Sequence, residues 1–544
     1  MKHSTSLIAL TLAAGLTLSA CSDASDSAEP APATSESADS SDNAATSENA
    51  TEDEGHKDMA HDHPEDGGAP PAGIEEAENP TYPVGTEVTL IADHMPGMDG
   101  ATAPKLTSKD RRRVAFASTI GTTIEFYDFY IYATAAVAVF PLLFFPATED
   151  PTVALLQSFA TFGLAFVARP LGSIIFGHFG DRIGRKATLV GALLTMGIAT
   201  FIIGLLPTYA TAGIIAPGLL ALMRFCQGLG LGGEWSGAAL LASETAEDGK
   251  RASAAMWPQF GAPFGFFLAN GLFLILVSAL GYTRGDTSGP FMEWGWRIPF
   301  LASAVMVLIG LYVRLKLEET PVFQNAVDQG KKVKAPVTEV FKVAGKPMVI
   351  GTFVMVGCYT LFYLVTTWIL SFGIGDPSKG LGLGIPYTDF LQLQLVSIFA
   401  FIAGIPVSSI LADKYGRKPI LAIVSALIIV FGFTFTQFLA IDAATEASVL
   451  VFLTIGMFLM GLIFGPMSAV LPELFPTNVR YTGSGISYNV SSILGAAIAP
   501  FIATWLVAEV GVHAVGIYLA IISAISLIAV LCMKELSKQD LNEV

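Results

Sequence analysis

Gly177-His178-Phe179-Gly180-Asp181-Arg182-Ile183-Gly184-Arg185-Lys186 recurs, 232 residues further on, as Ser409-Ile410-Leu411-Ala412-Asp413-Lys414-Tyr415-Gly416-Arg417-Lys418. Each stretch is a short, glycine-punctuated, charged turn between two long apolar runs. Two helices joined so tightly are antiparallel neighbours, and Lys and Arg beside membrane spans stay on the cytoplasmic side. A second pair repeats at nearly the same interval, because Glu244 and Arg251 correspond to Glu473 and Arg480, 229 residues later. Two matches at one spacing indicate an internal duplication, and hence two similar helical bundles.

Composition agrees with a chain that lives mostly in lipid. Of its 544 residues 52% are hydrophobic and only 14% charged, against roughly 25% charged in soluble domains. The net charge of −16 belongs to one end: residues 1–110 hold 21 acids and 4 bases, residues 111–544 hold 25 and 26. No basic stripe suits a nucleic acid. Cys226, Cys358 and Cys532 lie inside apolar runs at unrelated spacings, which predicts neither a disulfide framework nor a metal site.

Residues 1–21 have the pattern of an export signal, with Lys2 before the apolar run Leu7–Leu18. Leu18-Ser19-Ala20-Cys21 resembles a lipobox, in which Cys21 is lipidated. Residues 22–110 form an acidic tail too poor in apolar groups to order itself. His56, Asp58, Met59, His61, Asp62 and His63 read as solvated tail in preference to a metal site. Ala92-Asp93-His94-Met95-Pro96-Gly97-Met98 resembles a fragment of a small bacterial lipoprotein domain. A working signal puts this tail outside, whereas Arg111–Arg113 belong inside. No apolar run between Ser22 and Lys109 supplies the extra crossing. Either the signal is inactive, or residues 1–97 are a fusion or a gene-model artefact.

A span needs about 20 apolar residues. Twelve are expected: 114–141, 153–177, 186–207, 213–241, 254–280, 296–316, 346–372, 388–412, 419–440, 447–470, 484–508 and 511–533. Six fall in an N-terminal bundle (111–316) and six in a C-terminal bundle (346–533). A polar central loop (317–345) lies between them and a short tail (534–544) follows. If the first span starts inside, 21 of the 26 bases lie on the inner side and three, Arg284, Arg297 and Lys379, on the outer side. That asymmetry predicts cytoplasmic ends for the twelve-span unit. Arg169 and Arg224 are intramembrane.

Ionisable residues at membrane depth are costly, so each is a functional candidate. Glu125 and Asp128 are three apart and share a helix face, as do Arg224 and Gln227. An arginine near an acid holds it ionised while desolvation favours the neutral form, and an acid balanced between them loads and releases a proton. The competing reading is a static ion pair locking spans one and four. Glu125 and Asp128 both qualify for the proton; we expect Asp128, with Arg224 as its partner. Gly228-Leu229-Gly230-Leu231-Gly232-Gly233 has the look of a dinucleotide loop, but no strand precedes it. Small residues spaced by four predict close helix packing instead.

The two charged turns, Arg224-Phe225-Cys226-Gln227-Gly228, Ala168-Arg169-Pro170-Leu171-Gly172, Gly233-Glu234-Trp235, Trp294-Gly295-Trp296-Arg297-Ile298-Pro299-Phe300 and Glu319-Thr320-Pro321-Val322-Phe323 together resemble the major facilitator superfamily. Within it they resemble the metabolite:proton symporters, and Glu125 to Tyr132 is most similar to the shikimate-transporter branch. Ser409, where a glycine leads the first turn, and residues 1–110 depart from the pattern. The resemblance implies an all-α membrane protein of twelve transmembrane helices in two pseudo-symmetric six-helix bundles, the major facilitator fold. It implies a proton-coupled secondary transporter, not an enzyme. The expected cargo is a small polar metabolite, an organic acid of the shikimate or dicarboxylate kind, with zwitterionic osmolytes such as proline or betaine as the alternative. A lipid-anchored metal-binding protein is the alternative from another class. Expected roles are proton coupling for Asp128, Glu125 and Arg224, and substrate binding for Arg169, Arg224, Gln227 and Glu234. Gating falls to Gly177, Asp181, Arg182, Gly184, Arg185, Asp413, Gly416 and Arg417. No cofactor, metal or nucleic acid is expected; the partners are substrate, protons and the lipid of a bacterial cytoplasmic membrane, and the unit is expected to be a monomer.

Overall fold

Apolar runs of this length become helices because in lipid only a helix or a closed barrel satisfies every backbone N–H and C=O internally. The computed structural model describes residues 108–146, 151–183, 185–232, 249–283, 287–315, 341–476 and 479–535, with isolated positions between them. Helices occupy all twelve expected spans. The N-terminal six are Ser108–Ala138, Pro151–Ile183, Arg185–Leu205, Ile215–Leu231, Arg251–Leu280 and Arg297–Leu315. The C-terminal six are Gly345–Gly373, Tyr387–Tyr415, Arg417–Gly432, Glu446–Glu473, Thr482–Glu509 and Val512–Cys532. They are spans one to twelve below. Among the described residues, 8 helices are long and apolar enough to cross a membrane, and two shorter apolar ones cover spans three and four. Span one is diluted by Glu125, Asp128, Tyr127, Tyr130 and Tyr132, the feature that makes it a site. The expected signal with Cys21, most of the acidic tail and most of the central loop lie outside the described residues.

The duplication is visible in the packing. In the first bundle the principal helix pairs are one with five, two with four, and three with six. In the second they are seven with eleven, eight with ten, and nine with twelve, the same scheme shifted by six. The bundles meet along two seams, five against eight and two against eleven. Span eleven widens into a π-helical turn at Ile493–Ala497. There Gly163 of span two backs onto Ala497, at the ordinary contact distance a β-carbon would make.

Candidate functional site

The site begins with glycine packing. A β-carbon on Gly228 or Gly232 of span four would overlap the backbone of span two at Ala165 or Arg169, and one on Gly172 would overlap Leu229. The spans carrying Arg169 and Arg224 therefore touch backbone to backbone. Span one, with its two carboxylates, packs alongside.

Arg169 Nη2 donates to Glu125 Oε1 at 2.9 Å, and both side chains are buried. The guanidinium also faces the rings of Phe129 (4.9 Å), Phe166 (5.5 Å) and, from the other bundle, Tyr488 (5.8 Å). Arg224, fully buried, lies 4.4 Å from the Phe129 ring centroid and 4.0 Å from that of Tyr132. One phenylalanine thus touches both cations. Such cation–π contacts compensate part of the cost of desolvating a guanidinium.

The expected direct pairing of Asp128 with Arg224 is corrected by the geometry. Arg224 Nη1 donates to Gln227 Oε1 at 2.5 Å, Gln227 Nε2 donates to Thr200 Oγ1 at 2.9 Å, and Thr200 Oγ1 donates to Asp128 Oδ2 at 3.1 Å. The i to i+3 spacing of Arg224 and Gln227 holds the amide over the guanidinium, so charge reaches the acid through an amide and a hydroxyl. Every donor in this relay points toward Asp128. Thr200 has a second acceptor, the Met196 carbonyl at 2.9 Å, to which its single proton can turn. Asp128 Oδ1, Arg224 Nη2, Arg169 Nε and the hydroxyls of Tyr130 and Tyr132 are buried without a hydrogen bond. Buried polar atoms left open around two cations make this centre the candidate place to receive water, a proton or a ligand.

The gate candidates gather elsewhere. Asp413 accepts from the amides of Ala252 (3.0 Å) and Ser253 (2.8 Å) at the start of span five, in the opposite bundle. Arg417 bonds Asp413 at 2.8 Å and Glu473 at 3.1 Å, and Arg251 approaches Glu473 at 3.6 Å. Gly416 between them has φ of 106°, a left-handed conformation that glycine adopts freely. Of the first turn, Gly177, Asp181, Arg182 and Arg185 are helical, but the side chains of Asp181, Arg182 and Arg185 lie outside the described residues, as do Gly184 and Glu234. No group of three or more metal-ligating side chains occurs among the described residues. Sequence reasoning missed Thr200, because a lone threonine in an apolar span usually bonds its own preceding turn.

Two duplicated helical bundles around a buried, doubly charged centre define a membrane transporter. The family model described as Major Facilitator Superfamily matches residues 118–495, and the chain belongs to that family. It is 54% identical over 432 residues to the inner membrane metabolite transport protein YhjE of Escherichia coli (strain K12), covering 79% of this chain and 96% of that one. It is 35% identical to the shikimate transporter of the same organism, covering 78% and 94%. To the proline/betaine transporter of Salmonella typhimurium it is 32% identical, covering 79% and 85%. Among solved structures, the proton:xylose symporter XylE bound to 6-bromo-6-deoxy-D-glucose superposes with a TM-score of 0.59 at 18% identity, over 80% of this chain and 99% of that one. A second model, "Protein of unknown function (DUF1541)", matches residues 84–111, in the tail. The chain is therefore a multi-pass membrane transporter and not an enzyme. A lipid-anchored metal-binding protein leaves the twelve helices unaccounted for.

Proposed function

We propose that the chain is a proton-coupled importer of a small polar organic acid, working by alternating access in a bacterial cytoplasmic membrane as a monomer. Both ends of its helical unit face the cytoplasm. The observation that carries this reading is the donor relay from Arg224 through Gln227 and Thr200 to Asp128, whose second oxygen is left without a partner. With both carboxylates ionised, Arg169, Arg224, Glu125 and Asp128 sum to zero charge. A proton on Asp128 lets the Thr200 hydroxyl turn to Met196, loosens the relay and leaves one uncompensated positive charge at Arg224. That charge suits a monoanion. Proton and anion then favour each other's binding, as symport requires. Glu125, bonded directly to Arg169, stays ionised in this scheme and orients that guanidinium toward the opposite bundle.

Asp413 at the end of span eight, bonded to the start of span five, forms with Arg417, Glu473 and Arg251 the gate at the basic end. By the duplication in the sequence, Asp181, Arg182 and Arg185 with Gly177 and Gly184 are assigned the matching gating role in the first bundle. Glu234 is assigned to substrate binding by its place in the sequence. A second reading, a proton symporter of zwitterionic osmolytes, is favoured by the rings already arrayed around the cations and by the relative that carries proline and betaine. Uptake of labelled shikimate, succinate, proline and betaine, with and without an uncoupler, separates the readings. We expect uncoupler-sensitive uptake of an acid. Uptake confined to betaine or proline supports the second reading, and insensitivity to the uncoupler removes the proton from the account.

A further inference from the structure

Away from the basic end, the seam between spans five and eight carries a buried amide pair that the coupling scheme does not use. Asn270 of span five and Gln394 of span eight are both essentially inaccessible to solvent. Thr134 Oγ1 donates to Asn270 Oδ1 at 2.8 Å, Asn270 Nδ2 donates to Gln394 Oε1 at 3.3 Å, and Gln394 Nε2 donates to the Thr366 carbonyl at 2.8 Å. Four helices from both bundles are thus tied in one direction, and each amide group is used once as donor and once as acceptor. Thr134 lies six residues beyond Asp128 on span one, roughly 9 Å along the helix. The tie therefore sits between the charged centre and the far face of the membrane. On the other seam at this level, a cleft lies between spans two, seven and eleven, lined by Thr152, Leu155, Trp368, Phe372 and Thr504.

We infer that Asn270 and Gln394 are the positioning residues of the far gate: their bond holds the bundles together there, and it breaks when that end opens. The chemistry fits a contact made and broken in every cycle. An amide pair in a dry interface is satisfied by its partner, and in an open, wet cleft by water, so neither state strands a polar group. A buried ion pair in the same place would carry a far larger desolvation cost each time that end closed. Thr134 fixes the orientation of the Asn270 amide, so that its N–H group rather than its oxygen faces Gln394.

The test needs neither a substrate nor a membrane orientation. In the full chain with its four cysteines replaced, Thr504→Cys reports the far cleft and Ala255→Cys reports the basic-end seam, both buried in this closed form. Thiol labelling is followed in lipid nanodiscs, where both faces are open to reagent. Asn270→Ala and Gln394→Met should each raise Thr504→Cys labelling about fivefold, the factor expected for one neutral hydrogen bond. Ala255→Cys labelling should stay level or fall. The double variant should add nothing to either single one, and Thr134→Val should act in the same direction but less. Unchanged labelling at Thr504→Cys would overturn the inference. An equal rise at both reporters would do so too, since it means general loosening. Failure of both variants to assemble would count the same way, making the pair a folding requirement and not a gate.

Discussion

The two ends of the interface between the bundles are built from different materials. At the basic end Asp413 caps span five through two amides and the Ser253 hydroxyl, and Arg417, Glu473 and Arg251 form a buried network of alternating charge. Gln259 donates to the Phe464 carbonyl and Ser468 to that of Ala255, over a floor of packed alanines. At the far end, among the described residues, the Asn270–Gln394 bond and the ring contact of Tyr282 with Tyr387 span the same seam. Charge-assisted bonds contribute about 1.5–3 kcal/mol each and neutral ones about 1. The form described here is therefore held shut chiefly at its basic end. Opening that end requires a comparable free energy from ligand binding, because a ligand shifts an equilibrium only by its differential affinity for the two states.

The sharpest way to break this contrast is Glu473→Ala. It leaves Arg417 with Asp413 as its remaining acid and Arg251 with one partner fewer, and breaking a buried pair costs on the order of 3–5 kcal/mol. The basic end should open: a cysteine at Ala255 should become readily labelled and turnover should fall at least tenfold. Labelling there as slow as in the parent would mean that the charges are ornament and the alanine packing holds the seam.

The smallest expected effect belongs to Glu535, just beyond span twelve, which accepts from the amides of Arg417 and Lys418 at 2.9 Å each. Partial burial pushes its carboxyl up, but the amides of Arg417, Lys418 and Ser537 outweigh this and leave it below the ordinary carboxylate value. A depressed group contributes stability above its unfolded value, near 4.3, that is lost as pH falls through the lowered one. Its contribution should be the same at pH 7 and pH 5. Because the side chain is exposed, Glu535→Gln should change turnover less than about twofold. A larger effect, or one that varies between pH 7 and pH 5, would make the segment after span twelve part of the gate.

Much of this was legible in the sequence, and the limits were physical. The paired turns and the Glu244/Arg251 and Glu473/Arg480 repeat announce two bundles, because a charged turn between apolar runs has few other uses. The carboxylates and arginines of spans one, two and four stand out for the cost of burying them. Partner choice is another matter. Which acid meets which arginine depends on helix rotation and depth, and there the glycine contacts of Gly228 and Gly232 decide. They bring the spans of Arg169 and Arg224 together, and in that packing Arg169 meets Glu125 while Asp128 reaches Arg224 through Thr200 and Gln227. Asn270 and Gln394 carried a signal, being amides inside apolar runs, but only the fold places them opposite each other.

The account turns on Asp128 as the residue that exchanges a proton, and its most direct test is transport by Asp128→Asn in proteoliposomes. The asparagine mimics the protonated acid and cannot release a proton. With a substrate found in the uptake panel, substrate exchange across the membrane should persist while accumulation driven by an imposed pH gradient disappears. Glu125→Gln, assayed beside it, should still respond to the gradient. Gradient-driven accumulation by Asp128→Asn, together with its loss in Glu125→Gln, would contradict the account and move the proton to the carboxylate that faces Arg169.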